Sequence, residues 1–384
     1  MLRKILVLNS GSSSVKFRLF GWRSGEECHA LVSDVIERIG EHDGQVQDHR
    51  QALRMIVSQL GDEGHLGDSE LMAIGHRVVH GGETFSQAAV VDNSVKEAIK
   101  ASVTLAPLHN PANLLGIEAC EAIWPSIPQV AVFDTAFHQT LPPEAFRYPI
   151  PDSAYRKQGV RRYGFHGSSF AYVTRRAASY LHRSTDSLNL VILHLGNGAS
   201  ACAIQNGKSI ETSMGMTPMA GLMMGTRCGD LDPGIIFFWC EQLGFAPKEV
   251  FDWLNRSSGL MGIAGTNDMR DVLDRAAQGQ PNARLALDMY IHRLRLYLGA
   301  YRALLPNLDA LIFTGGIGEH AAQVRAAACR DQHHLGFYLD EKANAMISQG
   351  VAEIQTSNAD IKIMVIPTDE EAEIAQQTLN LIPH

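Results

Sequence analysis

No run in the 384 residues is long and apolar enough to span a bilayer, so no membrane-spanning helix is expected. The six cysteines, Cys28, Cys120, Cys202, Cys228, Cys240 and Cys329, include no CxxC pair. Neither a disulfide framework nor a zinc ribbon is indicated, and reduced thiols are expected. Basic charge is also short. A formal net charge of -8 leaves no footprint for nucleic acid, so any bound anion must be held by local groups. The two commonest phosphate motifs are incomplete. Gly207-Lys208-Ser209 ends like a P-loop, but Cys202 stands where that motif needs glycine, and no GxGxxG opens a helix after a strand. The apolar run Ile5 to Leu8 is far shorter than a signal core, and Lys16 interrupts the next apolar stretch, so the start reads as a first strand of a cytoplasmic protein.

With 45% hydrophobic and 19% charged residues, the composition is that of a soluble globular enzyme, and the length favours two domains around an active site. Ile5 to Leu8 and Val15 to Phe20 flank the small-residue turn Asn9 to Ser14, and Leu190 to Leu195 and Ala199 to Ile204 flank Gly196-Asn197-Gly198 in the same way. Aligning Gly11 with Gly198 also aligns Leu8 with Leu195 and Ser13 with Ser200, which predicts two related domains, each opening on a phosphate-facing turn. Further apolar strands end at Asp134, at Thr314-Gly315-Gly316 and at Pro367-Thr368. Strands alternating with helical stretches indicate an α/β fold, in which ligands gather at strand ends. Leu287, Tyr290, Ile291, Leu294, Leu298 and Tyr301 follow helical spacing, read as core packing. The expected domains are 1-150, completed by 368-384, and 151-367, with the boundary placed at Pro149-Ile150-Pro151.

The motif series carries more. VLNSGSSSVKF (7–17), HRVVHGGE (76–83), APLHNPAN (106–113), VAVFDTAFHQTLP (130–142), RRYGFHGSS (161–169), HLGNGAS (194–200), TSMGMTPMAGLMMGTRCGDLDPG (212–234), FTGGIGEH (313–320) and VIPTDEE (365–371) occur in order. Together they resemble the acetate kinase family over about residues 3 to 380. The resemblance implies two duplicated α/β domains of the actin, Hsp70 and sugar-kinase type (ribonuclease H-like), with ATP and magnesium, or manganese in its place, bound in an interdomain cleft. It also implies a homodimer and reversible phosphoryl transfer between ATP and acetate.

Phosphoryl transfer to a carboxylate needs charge neutralisation, because the migrating group spreads negative charge over its oxygens. By this resemblance Arg77 holds the substrate carboxylate, Arg227 and His166 stabilise the phosphoryl in flight, Asp134 orients them and His109 aids the transition state. Val79, Leu108, Phe165 and Pro218 match the apolar acyl pocket. Val79 favours acetate, with propionate as the alternative substrate, and an actin-like ATPase without kinase activity is a more distant alternative. Ser12, Lys16 and His194, Leu195, Gly196, Asn197 and Gly198 are expected at the phosphates. Asp268, Met269 and Arg270 with Gly316, Ile317, Gly318, Glu319 and His320 are expected around the adenosine. His320 stands where the family mostly has asparagine, and Ala220 where an acid is common.

Asn9 and Glu370 match the family's metal positions. An independent argument selects Glu370: Thr368-x-x-Glu371 fits a capping box, which would turn Glu371 back onto the helix start and leave Glu370 facing the ligand. The glycines at 81, 82, 225 and 229 are read as room for a ligand to approach the backbone. His76 and His80 would pair as zinc ligands on a helix, but VVHGG reads as a strand end, and no zinc is assigned.

Overall fold

The structure is a computed structural model that describes residues 2–40, 46–65, 71–107, 109–347 and 350–383. Tertiary contacts divide the chain into two units. The first comprises Met1–Gln139, Gly167–Tyr172 and Asp369–His384, and the second Thr140–His166 and Val173–Thr368, so Pro149-Ile150-Pro151 lies within the second.

The first unit is built on β1 (Arg3–Ser10), β2 (Ser14–Trp22), β3 (His29–Glu37), β4 (Leu71–Val78), β5 (Ala89–Val90) and β6 (Gln129–Phe133), in the order β3-β2-β1-β4-β6-β5. Every residue from Ile5 to Leu8 is fully buried, which a strand achieves only when both faces of its sheet are covered. Ile5 and Val7 pack with Ile374, Ala375 and Leu379 of the helix Glu370–Leu381, whereas Leu6 and Leu8 pack with Leu53, Ile56 and Leu60 of the helix His49–Asp62. Each such aliphatic side chain contributes roughly 1.5 to 3 kcal/mol by burial. A charge at any of these positions would break the layer.

The second unit contains β7 (Leu190–Leu195), β8 (Ala199–Gln205), β9 (Lys208–Thr212), β10 (Ala310–Thr314), β11 (Ala352–Glu353) and β12 (Lys362–Val365), ordered β11-β12-β10-β7-β8-β9. Read from β9, this sheet repeats the first in order and direction. β7–β8 and β8–β9 are antiparallel like β1–β2 and β2–β3, β7–β10 and β10–β12 are parallel like β1–β4 and β4–β6, and β11 lies antiparallel on β12 as β5 does on β6. The duplication expected from the two hairpins is therefore present across both sheets.

Its register differs from the sequence alignment. The paired strands end at Ser10↔Val15 and Leu195↔Ala199, and three-residue turns join β1 to β2 and β7 to β8. Matching the strand ends equates Gly11 with Gly196 rather than with Gly198. A two-residue shift keeps every side chain on its original face, so hydrophobic alternation cannot detect it. The stripe from Leu287 lies on the helix Pro281–Leu304, where Tyr290, Ile291, Leu294, Leu298 and Tyr301 are buried and Leu287 only partly so.

Candidate active site

In the first unit, parallel pairing of β4 with β6 sets Arg77 opposite Val132 and Val78 opposite Phe133. The chain leaves β6 at Asp134, whose N–H donates to the Val78 carbonyl at 2.9 Å. Arg77 grips the Asp134 carboxylate at two points, with Nη2 to Oδ2 at 2.7 Å and Nε to Oδ2 at 3.1 Å. The Asp134 side chain is only 2% exposed, and Glu370 lies 3.9 Å from Arg77 Nε. Burial works against the Arg77 cation, but Asp134 and Glu370 more than offset it and hold its pKa above the ordinary value. Burial pushes the Asp134 carboxyl up, while Arg77 and the His109 charge oppose that shift. Arg77, Asp134, His109 and Glu370 thus form one electrostatic cluster at strand ends.

Two residues that sequence reasoning passed over build this corner. Asn110 and Asn113 sit one helical turn apart at the start of the helix Asn110–Ile123, and both are buried. Asn113 accepts from Val79 N–H at 3.0 Å and donates to the Ser10 carbonyl at 2.8 Å. Asn110 accepts from His80 N–H at 3.1 Å and donates to the His80 carbonyl at 2.9 Å. The spacing within His109-Asn110-Pro111-Ala112-Asn113 was the available signal, because i, i+3 positions share a helix face. Val79 is buried beside these bonds, whereas Leu108 lies outside the described residues.

His76 is on β4, not on a helix, and donates Nε2–H to Gln129 Oε1 at 2.6 Å. His80 Nδ1 accepts from Gly82 N–H at 3.0 Å. Burial lowers the His76 pKa from 6.5 to about 4, with the Gln129 bond opposing. Between those values the unfolded chain binds a proton that the folded chain refuses, so stability rises with pH across the window and is lost as pH falls. The full effect is about 3 kcal/mol, from about 1.4 kcal/mol per pKa unit. Urea midpoints measured between pH 4 and 7 should therefore fall more steeply with acid in the wild type than in His76→Gln. Equal slopes would refute this assignment.

The start of the helix Glu370–Leu381 corrects the capping argument. Asp369, not Thr368, is the N-cap, and its carboxylate accepts from Ala372 N–H at 2.9 Å while Arg18 binds it at 2.7 and 2.8 Å. Glu371 does not fold back; it pairs with Lys16 at 2.5 Å. Asp is a strong N-cap, and the two basic residues of β2 fix the register of the turn. Lys16, expected at the phosphates, is thus engaged by a carboxylate. Asn9 faces Lys16 across the hairpin, and Ser12 is exposed in the turn after β1.

Glu370 remains available for a different reason from the one expected. At 3.9 Å its contact with Arg77 is too long for a hydrogen bond, which leaves carboxylate lone pairs for a ligand. Among the described residues no cluster of three or more His, Cys, Asp or Glu could hold a metal ion. Magnesium needs fewer protein ligands, because it keeps several waters, and an amide oxygen such as that of Asn9 and a carboxylate such as that of Glu370 are donors of the hard-oxygen type it prefers.

In the second unit His166 adopts a left-handed backbone, φ 58°, uncommon outside glycine. Its Nδ1 meets Ser200 Oγ at 2.8 Å, and its ring stacks on His194 at 4.2 Å. A Cβ placed on Gly198 would stand 3.5 Å from the His166 ring and 3.6 Å from Arg227 Nη1, so these two groups flank one glycine. Arg227 donates to the Pro218 carbonyl at 2.9 Å. Among the described residues no carboxylate neutralises it, and burial alone lowers its pKa. Such a partly desolvated, unpaired cation is an anion site in waiting. Phe165 is buried in this unit.

A cavity of about 640 Å³ opens beside this group, lined by Gly196, Asn197, Asp268, Met269, Arg270, Gly316, Ile317 and His320. Its volume suits a nucleoside. Asp268 caps the helix Met269–Ala277 and also grips Arg270, which holds its pKa at about 2. His194, Leu195, Gly198, Gly318 and Glu319 do not line it. The Glu319 carboxylate instead accepts from Gly315 N–H at 3.0 Å and Thr368 N–H at 3.1 Å, tying together the ends of two neighbouring strands.

The acetokinase family model matches residues 4–376. The chain belongs to the acetokinase family. It is 45% identical to the acetate kinase of Syntrophobacter fumaroxidans over 99% of this chain and 97% of that protein. The crystal structure of Porphyromonas gingivalis acetate kinase superimposes with a TM-score of 0.92 at 40% identity, covering 99% of both chains. A propionate kinase from Francisella tularensis gives 0.88 at 42% identity, covering 99% of this chain and 100% of that one. The fold of these relatives is accordingly that of the two duplicated α/β sheets.

Within the acetokinase motifs, Gly81, Gly225 and Gly229 make room for the protein's own packing, whereas Gly316 faces open space on the cavity wall. A Cβ on Gly225 would lie 2.0 Å from Asn197 Oδ1, and one on Gly81 2.8 Å from the Phe133 ring. Gly225 N–H donates to the Asn197 carbonyl at 2.9 Å, which seats the Arg227 segment on the β7–β8 turn. Ala220 stands near Gly215, where a Cβ would come within 3.3 Å of it, and nothing in the structure explains its departure from the family pattern.

Proposed function

We propose that this chain moves the γ-phosphoryl of ATP reversibly onto acetate, giving ADP and acetyl phosphate. The observation that carries the reading is Arg227, a part-buried guanidinium with no carboxylate partner among the described residues, beside His166 and a nucleoside-sized cavity. The roles divide by unit. Arg77 takes the acid's carboxylate, Asp134 holds Arg77 in orientation, and His109 adds positive charge nearby. Arg227 and His166 stabilise charge on the migrating phosphoryl, while Gly196, Asn197, Asp268 to Arg270 and Gly316 to His320 hold the nucleotide. Magnesium on Asn9 and Glu370 would neutralise phosphate charge when bound.

Transfer is direct and in line, so a chiral γ-phosphoryl should invert; retention would demand a phosphoenzyme. A hydroxamate assay with ATP and acetate is expected to yield acyl phosphate. ATP hydrolysis without it would sink the kinase reading in favour of an actin-like ATPase.

Acetate is the preferred acid on the reading that Val79, which is buried, matches the wall of the family's acyl pocket. The Francisella propionate kinase, similar along the whole chain, makes propionate the second reading. One methylene in an apolar pocket changes kcat/KM by about 10- to 200-fold, so Val79→Ala should shift the acetate-to-propionate ratio by at least the lower figure. An unchanged ratio would remove Val79 from the acyl pocket.

No helix among the described residues is long and apolar enough to cross a membrane, and the use of ATP supports a cytoplasmic location. A homodimer is supported by a concentration of exposed apolar residues in the second unit, including Phe237 at 62%, Phe238 at 53% and Leu243 at 52% exposure. Sedimentation equilibrium should give twice the monomer mass; a monomer at micromolar concentration would exclude it.

A further inference from the structure

The segment that carries Arg227 is closed into a ring at its base. Asp230 N–H donates to the Gly221 carbonyl at 2.9 Å, and Asp230 Oδ1 accepts from Gly221 N–H at 2.8 Å. Between them the backbone is drawn in tightly. Gly229 has φ +73°, and a Cβ there would lie 2.6 Å from the carbonyl oxygens of Gly221 and Leu222. Inside the ring Met224 N–H donates to the Arg227 carbonyl at 3.2 Å. The ring's outer side is fastened to the long helix Pro281–Leu304. The Tyr297 hydroxyl donates to Asp230 Oδ2 at 2.6 Å, and Arg293, about one turn earlier, donates from Nη2 to the Asp230 carbonyl at 3.2 Å.

The chemistry of this anchor is suited to rigidity. A hydroxyl donating to a carboxylate at that distance makes a charge-assisted bond of the stronger kind. Burial, and then Asp230, push the Tyr297 pKa above its ordinary value, so the hydroxyl keeps its proton throughout the working range. The Arg227 guanidinium itself has little to hold it, one bond to the Pro218 carbonyl and a contact with Met224 Sδ at 3.8 Å. No hydrogen bond joins it to Asp230 or Tyr297. Its placement therefore comes from its backbone, and its backbone from the ring.

We propose that Asp230 and Tyr297 are positioning residues that set the Arg227 guanidinium for phosphoryl transfer through the closed 221–230 ring. The proposal rests on the phosphotransfer reading above. A group that acts only through Arg227 has a signature that a residue needed merely for folding lacks. Its loss lowers kcat with little change in substrate KM, and costs nothing further once Arg227 is gone.

The test measures acetyl phosphate formation by the wild type, Tyr297→Phe, Asp230→Asn, Arg227→Ala and the double variant Tyr297→Phe/Arg227→Ala. Tyr297→Phe is expected to lower kcat by about 10-fold, within the range that a small misplacement of a reacting group produces. Its KM for ATP should stay within about twofold of the wild type, as expected when only transition-state interactions are lost. In the Arg227→Ala background the same substitution should leave kcat unchanged. Asp230→Asn, which weakens the ring closure and the Tyr297 bond together, should show the same split with a larger loss. A wild-type kcat in Tyr297→Phe, or a loss that multiplies with that of Arg227→Ala, would overturn the proposal. A wild type that makes no acetyl phosphate would overturn the phosphotransfer reading, and this inference with it.

Discussion

Arg227→Ala is expected to lower kcat by about 10²- to 10³-fold, the cost of removing one preorganised charge donor from a transition state. Thermal stability should be unchanged or slightly higher. Arg227 is partly desolvated with no carboxylate among the described residues to compensate it, and in the free enzyme its cation contributes one bond to the Pro218 carbonyl. Removing it relieves a desolvation penalty that the fold otherwise carries, the usual relation between a strained functional group and stability. Arg227→Lys should recover only part of the lost rate, because an ammonium cannot present the planar fork that meets two phosphoryl oxygens at once. Steady-state kinetics with calorimetric melting would check both halves. A near-native kcat in the alanine variant would remove Arg227 from the reaction, and a large drop in melting temperature would make its role structural.

Much of the architecture was legible because strands buried on both faces are written as unbroken apolar runs, and Ile5 to Leu8, Leu190 to Leu193 and Ala310 to Phe313 are such runs. Their polar endings marked the strand ends at Asn9, His194 and Thr314, as Asp134 marks the end of Val130 to Phe133. The motif series named the chemistry. It could not show what each side chain does when no ligand competes for it. Arg77 and Asp134 clamp each other, Lys16 pairs with Glu371, and Glu319 holds two backbone N–H groups.

The errors have physical causes. The capping box failed because Asp369 and Thr368 are adjacent candidates for one N-cap, and the choice was made by Arg18 and Lys16 from a distant strand. Local sequence contains no trace of that. The hairpin alignment slipped by two residues because period-two patterning is blind to such a shift. The glycines were read as ligand space because a missing Cβ gives room to either partner. In the folded chain Asn197 fills it at Gly225 and Phe133 at Gly81. Asn110 and Asn113, Asp230 and Tyr297 went unnoticed for a related reason. Their work is to hold backbone and neighbouring side chains, and apart from the i, i+3 spacing of the two asparagines such polar groups carry no period.

The Arg77–Asp134 pair should respond unequally to losing one partner or the other. Arg77→Ala strands a carboxylate that is 2% exposed, whereas Asp134→Asn leaves a guanidinium that is 23% exposed and has Glu370 at 3.9 Å. Breaking a buried pair by removing one partner costs about 3 to 5 kcal/mol, and the more deeply buried orphan should cost more. Arg77→Ala is therefore the more destabilising change. Its pH dependence is set by the causes acting on Asp134. Burial raises that carboxyl's pKa and Arg77 opposes the rise, so deleting Arg77 raises it further. The folded variant then holds a proton that the unfolded chain has already lost. Its stability should fall as pH rises above the ordinary carboxylate range and recover as pH is lowered towards it. Function should divide the other way. Arg77→Ala should chiefly raise the KM for acetate, because the acid loses its counter-ion. Asp134→Asn should chiefly lower kcat by about 10²-fold, because a guanidinium released from its two-point grip no longer holds the acid in attacking geometry. The double variant, with neither charge buried, should regain part of the stability lost in Arg77→Ala without regaining activity. Equal destabilisation by the two single changes, with no pH dependence in Arg77→Ala, would mean that Asp134 reaches solvent once its partner is gone and that the pair is not the buried switch point of the acid site.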